Sequence, residues 1–138
     1  MMRTGSPVEV FMVGILVTIL VFCFNVEGAN WYKVGEAKEG TQTFVDTESV
    51  RRTEGNMVHA WARELPAVPQ IVGDEKLIEV TSHNEFRCGH NQFRRTEVIY
   101  SYQGGKTERI TSEGIKSWKT INREPTKIIY EYLCKQKR

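Results

Sequence analysis

Residues 77–105 read LIEVTSHNEFRCGHNQFRRTEVIYSYQGG, and this stretch decides the fold of the chain. Alternate side chains of a strand share a face, so the first half predicts a strand with four inward residues: Ile78, Val80, Phe86 and Cys88. After a turn at Gly89, residues 92–103 predict a returning strand. Its two faces are predicted to carry Thr96, Val98, Tyr100 and Tyr102 on one side, and Phe93 and Ile99 on the other. Gly104-Gly105 then predicts a two-residue hairpin with positive φ.

Shorter strands are predicted on both sides of this hairpin. Residues 30–34 and 41–45 indicate the first two, with Phe44 inward and Asp46 capping the next turn. Residues 57–64 indicate a third, and its small inward side chains leave room for another element to approach closely, namely Val58, Ala60 and Ala62. Residues 65–75 contain two prolines and a glycine and are expected to form the longest loop, and residues 106–111 end the meander.

The hydrophobic period changes near the end of the chain. Pro125 suits the first turn of a helix, and one apolar helical stripe follows it: Ile128, Ile129, Tyr132 and Leu133. The sequence therefore predicts an α+β domain with an antiparallel sheet of about five or six strands. A C-terminal helix is expected on one face, together with one disulfide.

The first 28 residues have the pattern of a signal peptide. Residues 10–24 are an uninterrupted apolar run, and its length of about 15 suits a signal sequence better than a spanning helix of about 20. Cleavage is expected between Gly28 and Ala29, and residues 29–138 would then form the mature domain. The alternatives are a retained anchor and acylation of Cys23, although Phe22 is bulky for the latter. We expect a periplasmic, surface or secreted protein that contacts the membrane only through this segment.

Cys88 and Cys134 remain after such cleavage. An even cysteine count in a short exported chain is typical of a disulfide, because the compartment is oxidising. The alternative is a metal site on Cys88, His90 and Cys134, with His83 as a further ligand. Cys134 lacks a second ligand two to four residues away, so we expect neither a metal nor another cofactor.

The charge of the chain is nearly balanced. Nineteen basic and 17 acidic residues give +2, and removing Arg3, Glu9 and Glu27 with residues 1–28 gives 18 − 15 = +3. This excess does not indicate nucleic-acid binding. Two arginine pairs are candidate anion-binding residues, because guanidinium groups hold carboxylates and phosphates in a bidentate manner, namely Arg51-Arg52 and Arg94-Arg95. The alternative is ordinary solvated charge.

No catalytic motif accompanies the three histidines, His59, His83 and His90. Glu85 and Glu97 are the carboxylates that a small secreted hydrolase would use, but ordinary strand-surface charge explains them better. We therefore expect a non-enzymatic binding module with a protein or glycan ligand. The alternative is an envelope structural or assembly protein, a homodimer included, with three aromatic contact residues: Trp61, Tyr100 and Tyr102.

Landmarks along residues 30–134 resemble the surface-adhesin protein E-like family of bacterial envelope proteins. They are Trp31, Phe44-Val45-Asp46 with Ser49-Val50, Trp61, Cys88 with Arg94-Arg95, Gly104-Gly105, Trp118 with Ile121, and Cys134. The resemblance implies a mainly antiparallel sheet with a helix, a Cys88–Cys134 bridge, exposure in the envelope, and adhesion to host matrix proteins or dimer formation.

Overall fold

The computed structural model describes residues 29–111 and 113–135. The predicted signal peptide, with Cys23 and Gly28, and residues 136–138 lie outside the described residues. The described residues form nine strands and one α-helix. They are β1 (Trp31–Glu36), β2 (Gln42–Asp46), β3 (Arg51–Thr53), β4 (Met57–Leu65), β5 (Gln70–Val72), β6 (Glu75–Arg87), β7 (Gln92–Tyr102), β8 (Thr107–Ile110), β9 (Lys119–Thr120) and α1 (Glu124–Lys135).

One antiparallel sheet contains all nine strands, in the order β1-β2-β4-β6-β7-β8. Three short strands lie off this path: β3 pairs with β4, β5 with β6 and β9 with β7. The α+β class is confirmed, but the predicted count of five or six strands is wrong. The three additional strands have two or three residues each, too few for a recognisable alternation. They form because the long central strands extend past their neighbours and offer backbone groups that need partners.

The segment predicted as the longest loop contains one of these short strands. Gln70–Val72 pairs with the start of β6, and Gly73 turns the chain between them with φ of 62°. Pro66 and Pro69 directly before this strand made the segment read as a loop, and the pairing of so short a strand depends on its partner.

The core lies between the sheet and α1. Val58, Ala60 and Ala62 of β4 are at most 2% exposed and pack with Ile129 and Leu133 of the helix. This confirms the predicted inward face of β4 and its close approach to the helix. At Gly35 in β1 the approach is closer still, because a Cβ added there would lie 2.7 Å from the side chain of Ile128.

A β-bulge changes which face of β7 carries which side chains. Asn84 pairs with Arg95, but His83 pairs with Glu97, so Thr96 is an extra residue. Directly paired residues of neighbouring strands share a face. Phe93, paired with Phe86, therefore faces the core together with Val98, and Thr96 does not. The predicted separation of Phe93 from Val98 is wrong because strict alternation ignores the extra residue.

Two other predicted inward residues face outward. Ile78 is 39% exposed while Leu77 is 5% exposed, and the register shifts between Leu77 and Glu79. Phe44 is only partly buried, whereas its neighbours Thr43 and Val45 are completely buried. In both places the predicted inward face is wrong by one residue.

A disulfide joins Cys88, directly after β6, to Cys134 in the last turn of α1, with a Cα–Cα distance of 5.4 Å. The predicted bridge is present, and sulfurs bonded to each other are not thiolate ligands for a metal. Within residues 29–111 and 113–135, no group of three or more His, Cys, Asp or Glu side chains is placed to hold a metal ion. In the same ranges no helix has the length and apolar character needed to cross a membrane.

Candidate functional site

Among the described residues, no α-helix packs on one face of the sheet, and we call it the helix-free face. It holds the three tryptophans, Trp31, Trp61 and Trp118, and its histidines and charged side chains include His59, His83, Arg51, Arg63, Arg87, Arg94, Arg109, Glu79, Glu85 and Glu97. All three tryptophans are partly exposed. Tryptophan and arginine are the residue types most enriched among those that dominate binding energy at protein interfaces.

Trp118 lies across the end of this face against two arginines. The guanidinium carbon of Arg87 is 3.9 Å from the centroid of the Trp118 ring, and that of Arg94 is 4.6 Å away. Arg94 Nε also donates a hydrogen bond of 2.6 Å to Glu85 Oε1. Stacking on Trp118 fixes both guanidinium groups, Arg94 is also ion-paired with Glu85, and Arg87 donates to Gln92, so little side-chain entropy remains to be lost when a ligand binds.

Trp31 on β1 is also stacked on an arginine. The guanidinium carbon of Arg63 lies 4.2 Å from the centroid of the Trp31 ring. Arg63 Nε is 3.4 Å from Glu79 Oε2, but its orientation does not make a hydrogen bond, and this buried nitrogen has no other partner among the described residues. The helix-free face therefore presents stacked Trp–Arg pairs on β1 and beside β9.

A histidine pair occupies the middle of the face. His59 Nδ1 and His83 Nε2 are 3.3 Å apart, and His83 Nδ1 is 2.7 Å from Thr96 Oγ1. The ring of Trp61 packs on His83 with centroids 5.4 Å apart. Burial lowers the pKa of His83 and the charge of His59 lowers it further, against weaker opposite effects of two glutamates. The protonated form of His83 is therefore disfavoured in the folded domain.

The two carboxylates of the hydrolase hypothesis are both engaged in ion pairs. Glu85 binds Arg94, and Glu97 Oε2 lies 2.8 Å from Arg109 Nη1. Each carboxylate is thus paired with a different arginine, which is the geometry of strand-surface ion pairs.

The predicted arginine pairs are separated, because adjacent residues of a strand point to opposite faces. Arg51 is paired in register with His59, and its Nη1 donates to the carbonyls of Glu48 and Val50. Arg52 lies on the helix side, where its Nη2 donates a 2.9 Å hydrogen bond to the carbonyl of Leu133. Arg51 and Arg52 therefore lie on opposite faces of the sheet and do not point to a common anion site.

Arg94 and Arg95 are separated in the same way. Arg94 lies on the helix-free face, whereas Arg95 is paired with Asn84 on the helix side. There its Nη2 lies 3.3 Å from Glu64 Oε2, and Glu64 Oε1 is 3.3 Å from Arg123 Nη2. The arginine that accompanies Arg95 is therefore Arg123. Sequence spacing gave no signal for it, because the two are 28 residues apart and meet only through Glu64.

The three predicted aromatic contact residues do not share a surface. Trp61 lies on the helix-free face, partly exposed. Tyr100 is paired with Val80 and lines a cavity on the helix side. Tyr102 is 6% exposed, with its hydroxyl 3.3 Å from Glu108 Oε1, so it offers almost no surface to a partner. The prediction that Tyr102 is a contact residue is wrong, because this residue lies on the buried side of β7.

That cavity is a second candidate site among the described residues. It has a volume of about 320 Å³ and lies beside the part of the sheet that α1 covers. Its lining combines polar, charged and apolar side chains: Thr41, Glu64, Pro66, Gln70, Leu77, Val80, Arg95, Tyr100 and Arg123. We call it the Arg95–Arg123 cavity.

These features define the class of the protein: a disulfide-closed antiparallel sheet with one helix, whose second face carries no α-helix from residues 29–111 and 113–135. The model of the surface-adhesin protein E family matches residues 31–135. This match covers most of the chain, so the chain belongs to the surface-adhesin protein E family, and the predicted resemblance is confirmed.

Two solved structures are similar to the described fold. The selenomethionine form of Haemophilus influenzae protein E has 11% sequence identity and a TM-score of 0.50, covering 79% of this chain and 88% of that chain. Protein E from non-typeable Haemophilus influenzae has 12% identity and a TM-score of 0.45, covering 78% and 86%. At this identity the first structure supports the fold alone. No curated protein matches the chain by sequence.

Proposed function

We propose that the chain is a non-enzymatic binding module of the bacterial cell envelope, which attaches to a protein or glycan ligand through its helix-free face. Membership of a surface-adhesin family supports this class of function. The observation that carries the proposal is that all three tryptophans lie on that one face, two of them stacked on arginines.

The chemistry of the face suits a macromolecular partner. Partly exposed tryptophan rings supply apolar contact area, and their arginines supply directed hydrogen bonds to carboxylates, hydroxyls or backbone carbonyls. The side chains around Trp118 are already fixed, so binding need not order them. The three tryptophans lie on β1, on β4 and beside β9, so a ligand that contacts all of them must extend across several strands.

The proposal includes export. Residues 1–28 would be removed as a signal peptide, and the mature chain would begin at Ala29. A disulfide between Cys88 and Cys134 fits this route, because such bonds form and persist in oxidising compartments. Mass spectrometry of the protein from its native host tests this point. A mature mass that starts at Ala29 and lacks two hydrogens supports it, and a mass retaining residues 1–28 or a lipid contradicts it.

Binding is tested on immobilised matrix proteins and glycans by biolayer interferometry. Once a ligand is found, Trp118→Ala should weaken its binding by about 2 kcal/mol or more, the cost typical of residues that dominate an interface. Tyr32→Ala is the matched control, since Tyr32 is 55% exposed but packs on Tyr132 of the helix. Equal losses in both variants, or no loss with Trp118→Ala, would contradict a ligand site on the helix-free face.

A further inference from the structure

We propose that the Arg95–Arg123 cavity binds one carboxylate-bearing sugar residue, such as a uronic acid. The cavity lies on the helix side of the sheet, so this inference does not depend on the ligand site of the helix-free face.

The charges of the cavity favour an added anion. Arg95 and Arg123 share one carboxylate, that of Glu64, so these three residues have a net charge of 2 − 1 = +1. The Glu64 side chain is 8% exposed and that of Arg95 is 20% exposed, which places their charges out of bulk water. Charge interactions are stronger where water is displaced, and an entering carboxylate would compensate the unpaired positive charge.

Both arginines keep donors for a ligand. A guanidinium has five N–H donors. Within the described residues, Arg95 directs Nη2 to Glu64 and Nε to Asn84 Oδ1 at 3.4 Å, and Arg123 directs Nη2 to Glu64. Burial lowers the pKa of Arg95, Glu64 opposes that effect, and Arg123 adds to it. A second anion beside Arg95 would offset these unfavourable influences on its charge through Coulomb attraction.

The remaining lining explains why the carboxylate should belong to a sugar. Thr41 and Gln70 supply a hydroxyl and an amide, which can both donate to and accept from ring hydroxyls. Tyr100 and Val80 supply aromatic and apolar area for the C–H face of a pyranose. The volume of about 320 Å³ is at the small end of the roughly 300–1,000 Å³ of ligand pockets, which suits one sugar ring rather than a peptide segment.

The test is titration calorimetry on protein purified from cells that express the whole chain, with glucuronate as the probe and glucose as its uncharged match. We expect glucuronate to bind and glucose to bind at least about tenfold more weakly, because glucose lacks the group that forms charge-assisted hydrogen bonds. Acetate and acetyl-dialanine carry a carboxylate but no sugar ring, so they test whether the carboxylate alone is sufficient for binding. If either binds as tightly as glucuronate, or if glucose does, the assignment to an acidic sugar is overturned.

Two variants, whose expected effects on glucuronate affinity have opposite signs, test whether this cavity is the binding site. Arg123 is 53% exposed, so Arg123→Gln should preserve the fold and weaken glucuronate binding by about tenfold or more. Glu64→Gln removes the internal competitor and raises the net charge of the trio to +2, so binding should tighten about threefold or more. Circular dichroism verifies that each variant is folded.

Arg109→Gln is the control, because Arg109 is 65% exposed on β8 and does not line the cavity. Its affinity for glucuronate should equal that of the unmodified protein. The proposal is overturned if Arg123→Gln leaves binding unchanged, if a folded Glu64→Gln variant binds more weakly, or if Arg109→Gln loses as much affinity as Arg123→Gln. Loss of matrix-protein binding in the Trp118→Ala variant, with glucuronate binding intact, would distinguish the two surfaces.

Discussion

Removing the disulfide by the double substitution Cys88→Ala and Cys134→Ala should cost the domain a large part of its stability. The bridge closes a loop with a sequence separation of 46 residues. In the chain-entropy model, a loop of that length restricts the unfolded chain by about 4 kcal/mol at 25 °C. Typical domains are stable by only about 5–15 kcal/mol, so the variant should be marginal. Alanine is preferable to serine because Cys88 is 7% exposed and a hydroxyl there would be buried.

The assay is urea unfolding followed by tryptophan fluorescence. With an m-value of about 2 kcal/mol per M, a loss of about 4 kcal/mol lowers the midpoint by about 2 M. A variant that is already unfolded without urea is also consistent, because it places the stability of the unmodified protein below about 4 kcal/mol.

Tyr130→Phe provides a comparison at the same junction. The Tyr130 hydroxyl accepts hydrogen bonds from the backbone N–H of Gly89 at 2.9 Å and of Asn91 at 3.3 Å, so it also ties this turn to α1. Both N–H groups are exposed and can return to water, and we expect a loss of about 1 kcal/mol. If the double alanine variant loses no more unfolding free energy than Tyr130→Phe does, the bridge does not stabilise the domain through loop-closure entropy.

Three further predictions concern the helix and the histidine pair. Gly35→Ala should destabilise the domain by about 1–3 kcal/mol in urea unfolding, because the new Cβ would lie 2.7 Å from the Ile128 side chain; an unchanged midpoint would mean that the helix moves away freely. Arg52→Gln should cost about 1 kcal/mol in the same assay, because it removes the 2.9 Å hydrogen bond to the Leu133 carbonyl near the helix end, and full stability would contradict that role. The lowered pKa of His83 means that the unfolded state binds its proton more readily, so stability present above about pH 6.5 should be lost as the pH falls through the folded-state pKa. His83→Gln should reduce this acid sensitivity in urea midpoints measured at pH 7.5 and 5, and an identical pH dependence would exclude His83 as its source.

The main sheet and the helix follow from local patterns. The alternation in residues 57–64 correctly indicated Val58, Ala60 and Ala62 as the face under a closely packed element. The apolar stripe after Pro125 correctly indicated the helix, with Ile129 and Leu133 buried. These patterns are readable because burial of one face repeats along each element at its own period.

The sequence did not predict which face a side chain occupies where the alternation along a strand is interrupted, nor did it predict the shortest strands. The bulge at Thr96 exchanges the faces on either side of it, and the two strands must be aligned before the extra residue is recognised. The short strands β3, β5 and β9 exist only because a longer strand lies beside them, so their own residues carry little signal.

The sequence by itself determined the α+β class, the long strands, the C-terminal helix and the pair of cysteines that can meet. It did so through side-chain period and composition, which are local properties of the chain. The tertiary structure alone decided that Arg94 and Arg95 serve opposite faces, that Arg95 instead meets Arg123 through Glu64, and that the three tryptophans gather on one side. Strand register and the path of the connecting segments set these meetings, since both depend on contacts between residues far apart in the chain.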